Sequence, residues 1–204
     1  MAKIETLDQL RTAYAQPSEL VRKKQLAALE THCRKIVSLS PMVLVGTSDA
    51  HGGQDVTPRG GEPGFVQVTD DRTLAMPDWP GNNRLDTLTN LLERPGIGLL
   101  FLVPGLDETL RINGKVEIRD DEDLRRRFET SGKIPRTVLL VKVEEAYLHC
   151  AKAFMRSKLW SPESRIERNA LPSIGQMIRD QLSLDGPPAE SREQMTERYA
   201  KVLY

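Results

Sequence analysis

The stretch Met76–Gly105, MPDWPGNNRLDTLTNLLERPGIGLLFLVPG, decides the fold, because a strand end, a turn, a helix and a second strand follow one another in it. Asn82–Arg94 carries Leu85, Leu88, Leu91 and Leu92 at helical spacing, and Pro95-Gly96 stops the pattern. Ile97–Val103 is a short apolar run bounded by turn residues, which predicts a strand anchored in a core. Between the first strand and the helix lies P-G-N-N-R, Pro80–Arg84. A helix start leaves backbone N–H groups unpaired at the positive end of its dipole, and here two amides and a guanidinium stand beside it. That chemistry suits a phosphate. The competing reading is plain helix capping by Asn82 or Asn83 with a solvated Arg84.

Outward from this stretch the chain reads as short strands joined by turns. Met42–Thr47 and Gln54–Thr57 form a hairpin around S-D-A-H-G-G, and Gly64–Val68 and Arg72–Met76 another around T-D-D. Ile97–Val103 turns through P-G-L-D into Glu108–Arg119, and Thr137–Cys150 is a further long strand after a short charged helix, Asp120–Glu129. This makes six or seven largely antiparallel strands with one inserted helix. The βαβ alternation of a parallel sheet is missing, so a closed or partly closed barrel is expected. Residues 1–40 and 151–204 are helical flanks around a core at 41–150, all within a single domain, 1–204. The first flank predicts one helix around Leu7–Tyr14 and a second from Pro17, with Leu20, Leu26, Leu29 and Cys33 on one face.

Composition narrows the function classes. Lys+Arg and Asp+Glu are equal at 29 each, so bulk charge supports neither a nucleic-acid nor a membrane-surface role. The longest apolar run, Ile97–Val103, falls far short of the ~20 residues needed to span a bilayer. The charged start MAKIETLDQLRTAY lacks the apolar centre of a signal peptide. Cys33 and Cys150 form no CxxC motif, and a cytoplasmic protein with reduced thiols is expected. His32, His51 and His149 have no metal-ligand spacing, so no metal is expected.

Four groups of residues stand out chemically. In T-P-R-G-G, Thr57–Gly61, an arginine beside glycines can turn a planar fork toward an anion, or simply pair with Glu62. In P-G-N-N-R, a cation in the first helical turn opposes the dipole and is better tolerated with an anion present. In His149–Trp160, Lys152 and Arg156 share a helix face as a like-charge pair, which is understandable if both reach one phosphate. Arg111 alternates with Leu110 and Ile112, so it points away from their face, toward a cavity or water. Lys24 is expected to matter little. No general acid or base is legible, and no phosphate-loop, dinucleotide or serine-nucleophile motif occurs.

The ordered set S-P-M-V-L-V-G-T, D-V-T-P-R-G, P-D-W-P-G-N-N-R-L-D, G-L-L-F-L-V-P-G and E-T-L-R-I-N-G, within residues 35–160, resembles the pyridoxamine 5′-phosphate oxidase-like flavoproteins. The resemblance implies a mainly β fold with added helices: an FMN-binding split β-barrel, six-stranded, antiparallel and Greek-key-like. It also implies an FMN-dependent oxidoreductase acting on a small-molecule substrate, as a homodimer whose two FMN sites are lined by both subunits. Matching positions for the FMN phosphate and ribityl chain are Thr57, Pro58, Arg59, Asn82, Asn83 and Arg84. Thr109 or Arg111 matches the contact to the ring edge, and Lys152, Arg156 and Trp160 match later contacts. The oxidase's R-x-x-L-L-K strand is replaced here by D-V-T-P-R-G-G, and its substrate-phosphate pocket is not found, so pyridoxamine phosphate is a poor substrate candidate. The alternatives are a binding protein of the same fold for flavin, F420 or haem, and an interaction module with an empty barrel.

Overall fold

The computed structural model describes residues 3–204. Three helices come first: α1 (Leu7–Ala13), α2 (Glu19–Lys23) and α3 (Thr31–Leu39). The strands β1 (Met42–Ser48), β2 (Gln54–Gly60), β3 (Gln67–Val68) and β4 (Thr73–Asp78) follow, then α4 (Asp86–Glu93). Next are β5 (Gly96–Leu102), β6 (Thr109–Arg119), α5 (Glu122–Arg126) and β7 (Thr137–His149). Helices α6 (Lys152–Ser157), α7 (Ile174–Gln181) and α8 (Arg192–Ala200) complete the chain.

All seven strands join one antiparallel sheet in the order β2-β1-β5-β6-β7-β4-β3. Of the six or seven strands expected, seven are present, and the one read as Gly64–Val68 is β3, only two residues long. Alternation sorts the sheet into two faces. Val43, Val45, Leu99, Phe101, Leu110, Ile112, Leu139 and Val141 point inward and are almost wholly buried. The sheet curls until its ends meet at the side-chain level, where Arg59 of β2 reaches Asp78 of β4. The ladder itself does not close, so the barrel is split.

A bulge in the β6–β7 pairing sits at Asn113/Gly114. It moves the inward set of β7 from odd to even residues, so Val143 and Ala146 are both buried. A Cβ at Gly114 would lie 2.2 Å from the Lys142 carbonyl oxygen, so only glycine permits this approach.

The second predicted N-terminal helix is two helices. Between them Leu26 is extended and exchanges backbone hydrogen bonds with Ala146, at 3.0 and 2.7 Å. Glu30 then starts α3 by accepting from the amides of Cys33 and His32, at 2.8 and 2.9 Å. Tertiary pairing with β7 overrides the local helical pattern. The helix read as Asn82–Arg94 begins four residues later, at Asp86. Leu91 is its buried leucine, whereas Leu85 and Leu92, expected inward, are exposed.

Candidate functional site

The inward face of β2 carries Asp55, Thr57 and Arg59, alternating with outward Val56 and Pro58. Opposite them, β4 ends at Asp78, and the chain turns through Trp79–Leu85 into α4. Together these elements wall a cleft of about 330 Å³, lined by Asp55, Thr57, Arg59, Asp78 and the turn from Gly81 to Leu88.

Arg59 is fixed on three sides. Its Nη1 donates to Thr57 Oγ1 at 2.8 Å and to the Pro58 carbonyl at 3.2 Å, and its Nε donates to Asp78 Oδ1 at 3.3 Å. Asp78 is buried, and burial pushes its carboxyl pKa up while the neighbouring guanidinium pulls against that shift. Arg84 is held more loosely: its Nε reaches Asp86 at 2.9 Å, and its side chain is largely exposed.

The turn has unusual backbone geometry. Asn83 and Leu85 both have left-handed φ values, 60° and 62°. The Asn82 side chain accepts from the Arg84 amide at 3.0 Å, closing an Asx turn. Leu85 occupies the N-cap position of α4 and offers no side-chain acceptor, so the first amides of that helix are left without a cap. Two further bonds tie α4 to the barrel: Thr87 Oγ1 to Asp55 at 2.6 Å and Asn90 Nδ2 to Thr47 at 3.0 Å.

Whether this cleft fits a phosphate turns on charge and donors. Three carboxylates face two guanidinium groups, which alone would disfavour an anion. Each carboxylate is engaged, however: Asp78 with Arg59, Asp86 with Arg84, and Asp55 with Thr87. The uncapped amides of α4 and the free edges of both guanidinium groups remain as donors. The residues present fit a phosphate.

The predicted site residues fall into separate places. Thr57, Arg59, Asn82, Asn83 and Arg84 line the cleft together. Pro58 points outward and contributes its carbonyl only. Arg111 lies on the outer face of the sheet, opposite to the inward set, where it pairs with Glu145 and lies over the Tyr147 ring. Its Nε is buried without a partner. Lys24 covers the same ring, 4.3 Å from its centre, and donates to the Leu148 carbonyl at 2.7 Å. Burial, then Arg111 and Lys24, hold the neighbouring His149 below the usual histidine pKa. Thr109 is buried on β6, while Lys152 and Arg156 are exposed on α6. Trp160 donates to the Leu106 carbonyl at 3.0 Å and stacks on Phe154. Asp55, Asp78, Asp86 and Thr87 are polar residues of the cleft that sequence reasoning missed. Asp78 left one signal, an acid ending an otherwise apolar strand.

The family profile described as Pyridoxamine 5′-phosphate oxidase matches residues 29–150, more than half of the chain. HupZ of Group A Streptococcus is similar in fold, with 18% identity, a TM-score of 0.50, and coverage of 58% of this chain and 92% of that one. A Clostridium acetobutylicum protein, related to general stress protein 26 and described as of the pyridoxinephosphate oxidase family, is 16% identical. It covers 58% of this chain and 85% of its own, with a TM-score of 0.45. No curated protein sequence matches the chain. Among the described residues, no helix is long and apolar enough to cross a membrane, and no group of metal-ligating side chains is present.

Proposed function

The chain belongs to the pyridoxamine 5′-phosphate oxidase family, and from that premise we propose that it is an FMN-dependent oxidoreductase acting on a small organic molecule. The observation that carries this reading is the convergence of Arg59, the Asn82–Arg84 turn and the uncapped start of α4 on one cleft. FMN, when bound, supplies the redox chemistry by accepting or donating a hydride equivalent. The chain's part is to bind and orient. Arg84, Arg59 and the α4 amides hold the phosphate, and Asn82 and Asn83 hold the neighbouring polar chain. Asp78 and Asp86 are paired with Arg59 and Arg84, and Asp55 accepts from the Thr87 hydroxyl, so no side chain of the cleft stands out as a general acid or base.

The working unit in this reading is a homodimer. Thr109, Arg111, Lys152, Arg156 and Trp160 do not line the cleft formed by their own subunit. A second copy packed on the outer sheet face would bring some of them to it. That face is apolar enough for the purpose: Val56 is 72% exposed, Met42 is 37% exposed, and Leu44, Leu100 and Leu102 lie beside them.

The test is direct. The purified protein is expected to be yellow, or to take up added FMN at micromolar concentration with a change in flavin fluorescence. Bound flavin is expected to bleach with dithionite or a nicotinamide donor and reoxidise with an acceptor. Preference for F420 or haem over FMN in the same titration would overturn the cofactor assignment. Failure to bind any of the three would overturn the reading as a whole.

A further inference from the structure

The turn Trp79–Leu85 holds two non-glycine residues in left-handed conformations. Such conformations persist only where the surroundings fix them. The helix side of this turn is fixed by the Thr87–Asp55 and Asn90–Thr47 bonds. Its middle is closed by the bond from the Arg84 amide to the Asn82 side chain at 3.0 Å, and its strand side begins at Asp78, whose carbonyl accepts from the Arg136 amide at 3.1 Å. Trp79 lies between these fixed points.

Trp79 meets a residue from far along the chain. The Tyr204 ring packs edge-on against it, with centroids 4.9 Å apart and planes inclined by 75°. Tyr204 is half-buried, whereas residues 201–203 before it are exposed. Lys133 Nζ donates to the main-chain oxygen of Tyr204 at 2.6 Å. Lys133 is itself braced by paired backbone bonds with Thr130, at 2.9 and 3.0 Å. Phe65 and Phe128 line the same pocket, of about 210 Å³, on the far side of β4 from the cleft.

We propose that Tyr204 is a positioning residue: clamped by Lys133, it pins Trp79 and thereby sets the turn that presents Asn82, Asn83 and Arg84. It does not line the cleft and takes no part in chemistry. This inference rests on the flavin reading given above, because the quantity it controls is affinity for the phosphate and the polar chain beside it.

The experiment compares Tyr204→Ala, Lys133→Ala and Tyr204→Phe with the unmutated chain; quenching is read in a Trp160→Phe background, so that Trp79 is the only tryptophan, and FMN affinity and melting temperature are read with Trp160 in place. Three quantities are read: acrylamide quenching of Trp79, FMN affinity by fluorescence titration, and melting temperature. Tyr204→Ala is expected to make Trp79 more quenchable and to weaken FMN roughly two- to thirtyfold, the usual span for residues acting through others. Lys133→Ala should do the same to a lesser degree, and Tyr204→Phe, which keeps the ring, should restore both. Lumiflavin, which lacks both the phosphate and the polar chain, should bind all the variants alike, an outcome that general loosening of the barrel would not produce. If Tyr204→Ala leaves Trp79 quenching or FMN affinity at the value of its background, the inference is overturned while the flavin reading stands. A wild-type chain that binds no FMN defeats the flavin reading first, and this inference with it.

Discussion

Arg84 and Arg59 reach the same cleft under different constraints, and that difference shapes what each substitution does. Arg84 is exposed and held only by Asp86, so Arg84→Ala should leave folding intact and weaken FMN by about 1–3 kcal/mol. Unchanged affinity in a fluorescence titration would remove Arg84 from the site. Arg59 is built into the barrel through Asp78, whose behaviour with pH carries a sign that can be checked. Burial raises the folded pKa of Asp78 above 3.8, so the folded state holds this proton more tightly than the unfolded chain does. The stability contributed by that proton is complete below pH 3.8 and is lost as pH rises through the raised value. Chemical denaturation across this range should show wild type losing stability with rising pH relative to Asp78→Asn; parallel pH curves would contradict the assignment. The arginines stood out in the sequence because a guanidinium beside glycines or asparagines can turn toward an anion. The carboxylates did not, because nothing local links Asp78 to Arg59 or Thr87 to Asp55 across the intervening turns. Lys24 shows the same limit: nothing local links it to Tyr147, over which it lies because α2 ends against β7.

At the scale of elements, α4 is the piece that turns a barrel into a binding site. Its apolar pattern made it visible, but its first turn was read too early, since Asn82–Leu85 is spent on a turn with left-handed residues rather than on helix. No propensity distinguishes those two outcomes when asparagine suits both. The helix is seated by the bond from Thr87 to Asp55, at a buried position. Thr87→Val keeps the shape and removes the hydroxyl, leaving Asp55 without that donor. We expect a loss of about 1–3 kcal/mol in urea denaturation, with weaker FMN binding as α4 shifts. A variant as stable as wild type would show that α4 is seated without this bond, by its leucines and the Asn90–Thr47 bond. The broken first flank teaches a related lesson. Leu20, Leu26, Leu29 and Cys33 satisfy a helical period, yet Leu26 pairs with Ala146 because the edge of β7 offers it two backbone bonds.

For the whole molecule, strand count and antiparallel order followed from turn spacing, and the barrel was legible from the missing crossover helices. Register was not, since the bulge at Gly114 shifts which residues of β7 face inward. Assembly is the claim at this scale. Leu100 sits in the middle of the outer face, between Leu44 and Arg111 on the neighbouring strands. Leu100→Asp should convert the proposed dimer to monomer in sedimentation velocity and lower FMN affinity with it; a wild-type chain that sediments as a monomer removes the interface altogether. One last consequence comes from the rims of the split. Pro58 lies on the free edge of β2, and Pro77 lies on β4 beyond the two residues that β3 covers. Proline has no amide hydrogen to give, so neither rim can zip onto the other or recruit a stray strand. The gap is thus kept ajar by covalent chemistry instead of by a guest, and a visitor entering it need not first prise apart a hydrogen-bonded seam.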